Sequence, residues 1–119
     1  MIDRNIENGI IESTFLGIED HGIFVHYLIF EFDGSGQGSG SYSLDNWDEK
    51  KNKRVGIGEG IDLIKETLEV VGVEKWEDLR GVHVRVDHDY DKVYGFGHIL
   101  KDKWLYFDKF FDEHKLDTK

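Results

Sequence analysis

The chain has 119 residues, 39% hydrophobic and 34% charged, with 25 acidic side chains against 15 Lys and Arg and a formal net charge of -10. That composition supports one packed domain and excludes a disordered chain. No apolar run approaches the roughly 18 residues of a membrane-crossing helix. The polar opening residues lead us to expect no signal peptide. Without cysteine there is no disulfide, no thiol nucleophile and no zinc site with sulfur ligands, and an intracellular setting is the simplest expectation. The acidic balance argues against a broad DNA interface, which needs clustered Lys and Arg, yet it permits a small anion in a locally basic pocket.

The first half reads as β-structure. Residues 9–18 are rich in β-branched and aromatic types, Glu19 to Gly22 signal a turn, and residues 23–33 form the strongest strand, so a long β-hairpin is predicted. The second strand is apolar on both sides. Ile23, Val25, Tyr27 and Ile29 alternate with Phe24, Leu28, Phe30 and Phe32, and His26 interrupts the second set. Such a strand needs a cover on each face. One helix supplies one; a partner subunit, or loops and the C-terminal helix, supplies the other. A glycine-rich segment covers 34–40, Ser41 to Leu44 reads as a short strand, and residues 45–53 read as a charged loop. Ile57, Ile61, Ile64, Leu68 and Val71 then recur at helical spacing, widened by Leu63 and Val70, and Gly72 stands at the C-cap. One more helical turn is expected over 74–79, with Trp76 in the core. Val82, Val84 and Val86 mark a half-exposed strand, Asp87 to Asp91 a turn, and residues 92–100 a last strand. Phe107, Phe110 and Phe111 give a short C-terminal helix, and the tail from Leu116 is expected to fray. The fold class is therefore α+β in a single domain: a mainly antiparallel sheet with a long N-terminal hairpin, one long helix and a short C-terminal helix.

Three segments carry candidate binding chemistry. Gly36, Gln37 and Gly38 lie in a stretch whose bare backbone suits close approach to a ligand, although a plain β-connection explains it equally. Its spacing matches neither a dinucleotide fingerprint nor a phosphate-binding P-loop. Arg54, Gly56 and Gly58 precede the helix, where unpaired amides and a guanidinium suit phosphate, with Lys50, Lys51 and Lys53 nearby. A solvated basic loop before an ordinary helix start is the alternative. The third segment runs from Tyr94 to Trp104. Aromatics between glycines can offer a stacking face for a base, and His98, Lys101 and Lys103 could reach phosphate or ribose. Large aromatics that simply fill the core are the other reading. Asp87, Asp89 and Asp91 alternate as in a calcium loop, but Lys92 and His98 replace the required glycine and glutamate. The histidines show no metal-binding spacing, the serines no nucleophile elbow, and the carboxylates lie in charged runs, so neither an enzyme, a metal nor a cofactor is expected.

Four stretches taken together resemble a known family. They are Thr14-Phe15-Leu16-Gly17-Ile18-Glu19-Asp20-His21-Gly22; Asp33-Gly34-Ser35-Gly36-Gln37-Gly38-Ser39-Gly40-Ser41-Tyr42-Ser43-Leu44-Asp45; Arg54-Val55-Gly56 leading to Trp76-Glu77-Asp78-Leu79-Arg80-Gly81; and Gly97-His98-Ile99-Leu100-Lys101-Asp102-Lys103-Trp104. In their order and spacing they resemble the first family of Thoeris anti-defence proteins of phages and prophages, over about Gly9 to Phe111. That resemblance implies a sponge in the cytoplasm of an infected bacterium. It would bind, without cleaving, the cyclic ADP-ribose isomer (glyco-cyclic ADP-ribose) that a Toll/interleukin-1-receptor-domain enzyme makes to trigger defence. It also implies dimers or larger assemblies, with pockets near the subunit interface. Arg54 and Gly56 to Gly58 would then suit the diphosphate, Tyr42 or Phe96 the base, and Gln37 the ribose or base. The chain departs from the family at Ser39, often aromatic there, at Ser41, often glycine, and near Gly95, where a basic residue is usual. Two other classes stay open: an acidic phage inhibitor that binds a defence protein directly, and an enzyme that hydrolyses the signal.

Overall fold

The structure is a computed structural model that describes residues 4–117. Strands β1 (Asn5–Ile18) and β2 (Phe24–Phe32) form the long antiparallel hairpin. β1 starts at Asn5 rather than Gly9 because Asn5 to Ile10 also pair with β7 (His83–His88), and that partner is invisible in local sequence. β3 (Ser35–Gly38) and β4 (Tyr42–Ser43) both pair with β2, so most of the glycine-rich stretch is strand, not loop. The expected charged loop at 45–53 is a correction. It holds β5 (Asp45–Asp48) and β6 (Lys53–Gly56), a separate two-stranded hairpin. Its turn is local: Asn52 adopts a left-handed φ of 54°, and the Asp48 carboxylate accepts from the Lys51 amide at 3.1 Å. Helix α1 (Gly58–Val71) follows, and Gly72 caps it with a left-handed φ of 92°. Trp76 to Asp78 form a single 3-10 turn.

β8 (Val93–His98) and β9 (Trp104–Tyr106) complete the seven-stranded sheet, in the order β3-β2-β1-β7-β8-β9 with β4 also beside β2. Every pairing is antiparallel. The strand expected at 92–100 stops at His98 and is not the last. The His98 ring nitrogen Nδ1 accepts from the Leu100 and Lys101 amides, which turns the chain back into β9. The turn expected from Asp87 begins two residues later, since Asp87 and His88 belong to β7. Helix α2 (Phe107–Asp117) includes the first part of the expected loose tail; residues 118–119 lie outside the described residues.

Ile11, Leu28, Phe30, Val84, Val86, Phe96 and Leu105 on one sheet face meet Leu63, Val70, Val71, Phe107 and Phe110 of the helices. The buried row of α1 is Gly60, Leu63, Thr67, Val70 and Val71, while Ile61 is 58% exposed. The row is therefore rotated from the isoleucine stripe read in the sequence. Gly60 explains this: a Cβ there would lie 2.4 Å from the Leu44 carbonyl oxygen, so α1 backs directly onto the chain at Leu44. The opposite sheet face carries Phe15 stacked on Tyr27, ring centroids 5.3 Å apart, beside Val25 and Ile29. The double apolarity of β2 thus divides into a helix-covered face and an outer apolar face. Among the described residues, no helix is long and apolar enough to cross a membrane.

Candidate ligand-binding site

Several residues singled out in the sequence serve packing. Phe96 is fully buried between Phe30 and Phe107, at centroid distances of 5.8 and 5.9 Å, so no base can stack on it in this structure. Tyr42 is half-buried and stacks on Phe107 at 4.4 Å and on Phe111 at 5.2 Å; burial, with Asp108 nearby, raises its phenol pKa. Both are pillars of the core. The alternation of glycine and aromatic residues in β8 also has a packing explanation. A Cβ on Gly95 would meet the Tyr106 ring at 2.7 Å, and one on Gly97 the Trp104 ring at 2.6 Å. Those rings lie flat across β8. The Tyr106 hydroxyl donates to Asp87 at 2.8 Å, and the Arg85 guanidinium sits 4.8 Å from the Trp104 ring.

The basic segment is anchored too. Arg54 Nε donates to Asp45 Oδ1 at 2.9 Å, and Nη2 to the Asp45 carbonyl at 3.0 Å. The Phe24 amide also donates to that carboxylate, at 3.2 Å. Burial pushes the Asp45 carboxyl up, but the Arg54 and Phe24 hydrogen bonds outweigh it and hold it below the usual range. Arg54 therefore clamps β6 to β5, and the Asp45 carboxylate that it holds ties the hairpin to β2 through the Phe24 amide. Gly56 and Gly58 differ from the other glycines: a Cβ on either meets nothing within 4 Å, and neither has a positive φ. Ile57, the N-cap of α1, makes no side-chain capping bond. This bare backbone at the helix start is accessible to an anion. His98 uses Nδ1 on the Leu100 and Lys101 amides, at 3.0 and 2.9 Å, and Lys101 projects into solvent.

Gly36 and Gln37 line a cavity of about 500 Å³ with Asn5, Phe32, Ser35, His88, Asp89 and Tyr90. Gly38 ends the same strand. Of the ten positions read from the sequence, these two are the ones that border this cavity; Arg54, Gly56 and Gly58, and His98 and Lys101, occupy two other places on the subunit. Gln37 Nε2 donates to the Asp89 carbonyl at 3.0 Å, and Gln37 Oε1 lies 2.7 Å from His88 Nδ1. His88 Nε2 lies 2.8 Å from Glu7 Oε2, and the ring stacks on Phe32 at 4.4 Å with the planes 2° apart. Gly9 makes room for this stack, because a Cβ there would stand 3.1 Å from the Phe32 ring. Asp89 Oδ1 accepts from the Asp91 and Lys92 amides at 2.7 and 3.0 Å, and the Tyr94 hydroxyl donates to Oδ2. Those bonds, led by that of Tyr94, hold the Asp89 carboxyl below its usual range. Among the described residues, no group of three His, Cys, Asp or Glu is placed to hold a metal ion.

Sequence reasoning missed Glu7, Phe32, His88 and Asp89. Asp89 had a signal: an aspartate that receives the amides two and three residues on is an Asx turn, a better account of the alternating aspartates than a calcium loop. Glu7 and His88 are 81 positions apart and meet only because β1 pairs with β7, so no local pattern announces them. Comparison with known protein-family models, curated proteins and solved structures finds no match to this chain.

Proposed function

We propose that the protein is an anti-defence sponge that binds a cyclic ADP-ribose isomer tightly and releases it unchanged. The observation that carries this reading is the cavity against β3. At about 500 Å³ it falls within the range of small-molecule sites. Its polar walls are held in place before any ligand arrives. The Asp89 carboxylate is occupied by one hydroxyl and two amides, and His88 is bracketed by Gln37 and Glu7. Such groups orient a ligand but leave no unengaged base or nucleophile on them, which favours capture over hydrolysis.

Gln37 contacts the ribose or base in this reading, and the diphosphate draws on bare backbone and cations elsewhere. The open backbone at Gly56 and Gly58, with Lys50, Lys51 and Lys53 close in sequence, is remote from Gln37 along the chain. A second copy would then complete the site, as the family resemblance implies for pockets near a subunit interface. The outer face with Phe15 and Tyr27 offers the surface for that dimer. Net negative charge does not forbid an anion, because repulsion is screened beyond about 8 Å at physiological salt.

Calorimetric titration of the purified chain with cyclic ADP-ribose isomers tests this. A sponge that outcompetes a receptor needs nanomolar binding, about -12 kcal/mol. Heating the complex and analysing the supernatant by chromatography should return the ligand intact. Gln37→Ala should weaken binding at least about tenfold, the value of one or two lost polar contacts. No heat with any isomer would overturn the reading. Co-purification of a stable protein partner in that case would favour an acidic inhibitor; conversion of the ligand over time would show an enzyme.

A further inference from the structure

We propose that the open edge of β1 docks a second copy of this chain: residues 12–18 pair antiparallel with the same residues of the copy, about a two-fold axis at Phe15, and the two sheets become one. β7 covers only the first part of β1. That pairing ends at Ile10, and Ile11 closes it by bonding to Val82 and Gly81. From Glu12 to Ile18 the strand has β2 on one side and, among the described residues, no strand on the other. Trp76 reaches the side chain of Thr14, not its backbone. The direction of the backbone groups follows from β2. Leu28 and Phe24 give their carbonyls to the Ser39 and Leu44 amides, away from β1. Their cross-strand partners Thr14 and Ile18 therefore turn N–H and C=O away from β2, and by alternation so does Leu16. Edges of this kind are ordinarily guarded by Lys, Pro or an inward charge. Ser13-Thr14-Phe15-Leu16-Gly17-Ile18 holds neither charge nor proline, and Leu16 is 37% and Ile18 69% exposed.

The residues of this edge select the same edge of another copy. Two like strands pair antiparallel about a two-fold axis, so one surface serves both copies. Outward groups meet outward groups only when the axis passes through a residue rather than between two. An axis at Thr14 runs the copy into Ile11, whose edge groups are already bonded to Gly81 and Val82. An axis at Leu16 sets Glu12 against Asp20, a like-charge pair. An axis at Gly17 sets Phe15 against Glu19. An axis at Phe15 avoids all three. It pairs Thr14 with Leu16 of the copy, Ser13 with Gly17 and Glu12 with Ile18. It also sets the two Phe15 side chains opposite each other in a close, non-hydrogen-bonded pair. Phe15 already stacks on Tyr27, its neighbour across the hairpin. The outer face then carries an unbroken row of four rings, Tyr27 and Phe15 from each copy.

The proposal deepens the functional reading by naming how two copies meet; it rests on that reading for the dimer's role and needs no ligand. Light scattering of the unsubstituted chain at NMR concentrations should give a dimer, and hydrogen exchange should find the Thr14 and Leu16 amides protected. Phe15→Asp, which sets two carboxylates face to face, should give a monomer in which both amides exchange fast. The chain has no cysteine of its own, so introduced thiols report the register. Thr14→Cys mixed with Leu16→Cys should form a disulfide between copies on oxidation. Neither variant alone should, because like residues then lie two positions out of register, beyond the roughly 7 Å reach of a disulfide. A monomer, a dimer with both amides unprotected, or self-linking of Leu16→Cys alone would overturn the proposal. An isomer bound to a monomer would keep the sponge and overturn the pairing. A dimer with protected amides that binds no isomer would keep the pairing and overturn the sponge.

Discussion

Replacing His26 with leucine should stabilise this protein, and the gain should grow as the pH falls. His26 is fully buried on β2, between Tyr42 and the edge of Trp76, with centroid distances of 6.4 and 5.6 Å. Neither Nδ1 nor Nε2 has a hydrogen-bond partner among the described residues. An unpaired buried polar group costs about 1–3 kcal/mol, and leucine has a similar volume without that cost, so a gain of about 1–2 kcal/mol is expected at neutral pH. Burial also lowers the His26 pKa from 6.5 to about 4. The unfolded chain therefore takes up its proton near the ordinary histidine value, while the folded chain resists until about pH 4. Between those values the unfolded state binds more protons, so stability falls with falling pH. The difference of about 2.5 pH units corresponds to about 3 kcal/mol, lost progressively across that window. Leucine has no such loss. Urea unfolding of both chains, followed by circular dichroism at neutral pH and near pH 4, measures the difference directly; subtracting one chain from the other cancels the carboxylates they share. A gap that stays constant with pH, or a leucine variant less stable than the parent at neutral pH, would refute the reasoning.

Three further outcomes follow from the packing. Gly60→Ala and Gly58→Ala should have opposite signs: the first places a Cβ 2.4 Å from the Leu44 carbonyl oxygen and should cost about 2–3 kcal/mol, whereas the second meets open space and should gain up to about 1 kcal/mol, both read by thermal or urea unfolding. If the isomer's phosphates lie against the helix start, Gly58→Ala will lose affinity while gaining stability. Arg54→Ala leaves the Asp45 carboxylate buried without its cation and should destabilise by about 3 kcal/mol near neutral pH. Asp45 has a depressed folded pKa, so its contribution is present above the ordinary carboxyl value and is lost as pH falls through the folded one; the Arg54→Ala deficit should shrink on acidification. If the chain pairs through its outer face as proposed, Phe15→Asp should leave it monomeric in light scattering with the circular dichroism spectrum retained, because that side chain packs on Tyr27 outside the helix-covered core.

The elements legible in the sequence were those specified by their own neighbours in the chain. Alternation over residues 23–33 announced β2, the helical period with Gly72 announced α1, and Glu19 to Gly22 announced the hairpin turn, so the α+β class followed from local signals. Two local readings misled because a competing local interaction was stronger. Asn52 and Asp48 turn a charged stretch into a hairpin, and the His98 ring ends β8 early. The face that α1 buries needed Gly60 against Leu44, a contact between two elements. Glycines and aromatics are the residue types whose role composition leaves most open. The same spacing serves a ligand platform or a packed sheet, and in β8 Trp104 and Tyr106 arriving from the next strand decided for packing.

What the chain's own order determined was thus its class, its charge, its hairpin and its helix, because each rests on interactions within a few residues. What only the tertiary structure decided was which side chains are spent on the core and which face a cavity. Phe96 and Tyr42 went to the core, Arg54 to Asp45, and Gln37 to a relay with His88 and Glu7. That relay joins β1, β3 and β7, three strands far apart in the chain. Its residues have no special meaning until sheet pairing brings Gln37 and Glu7 to the two nitrogens of one imidazole.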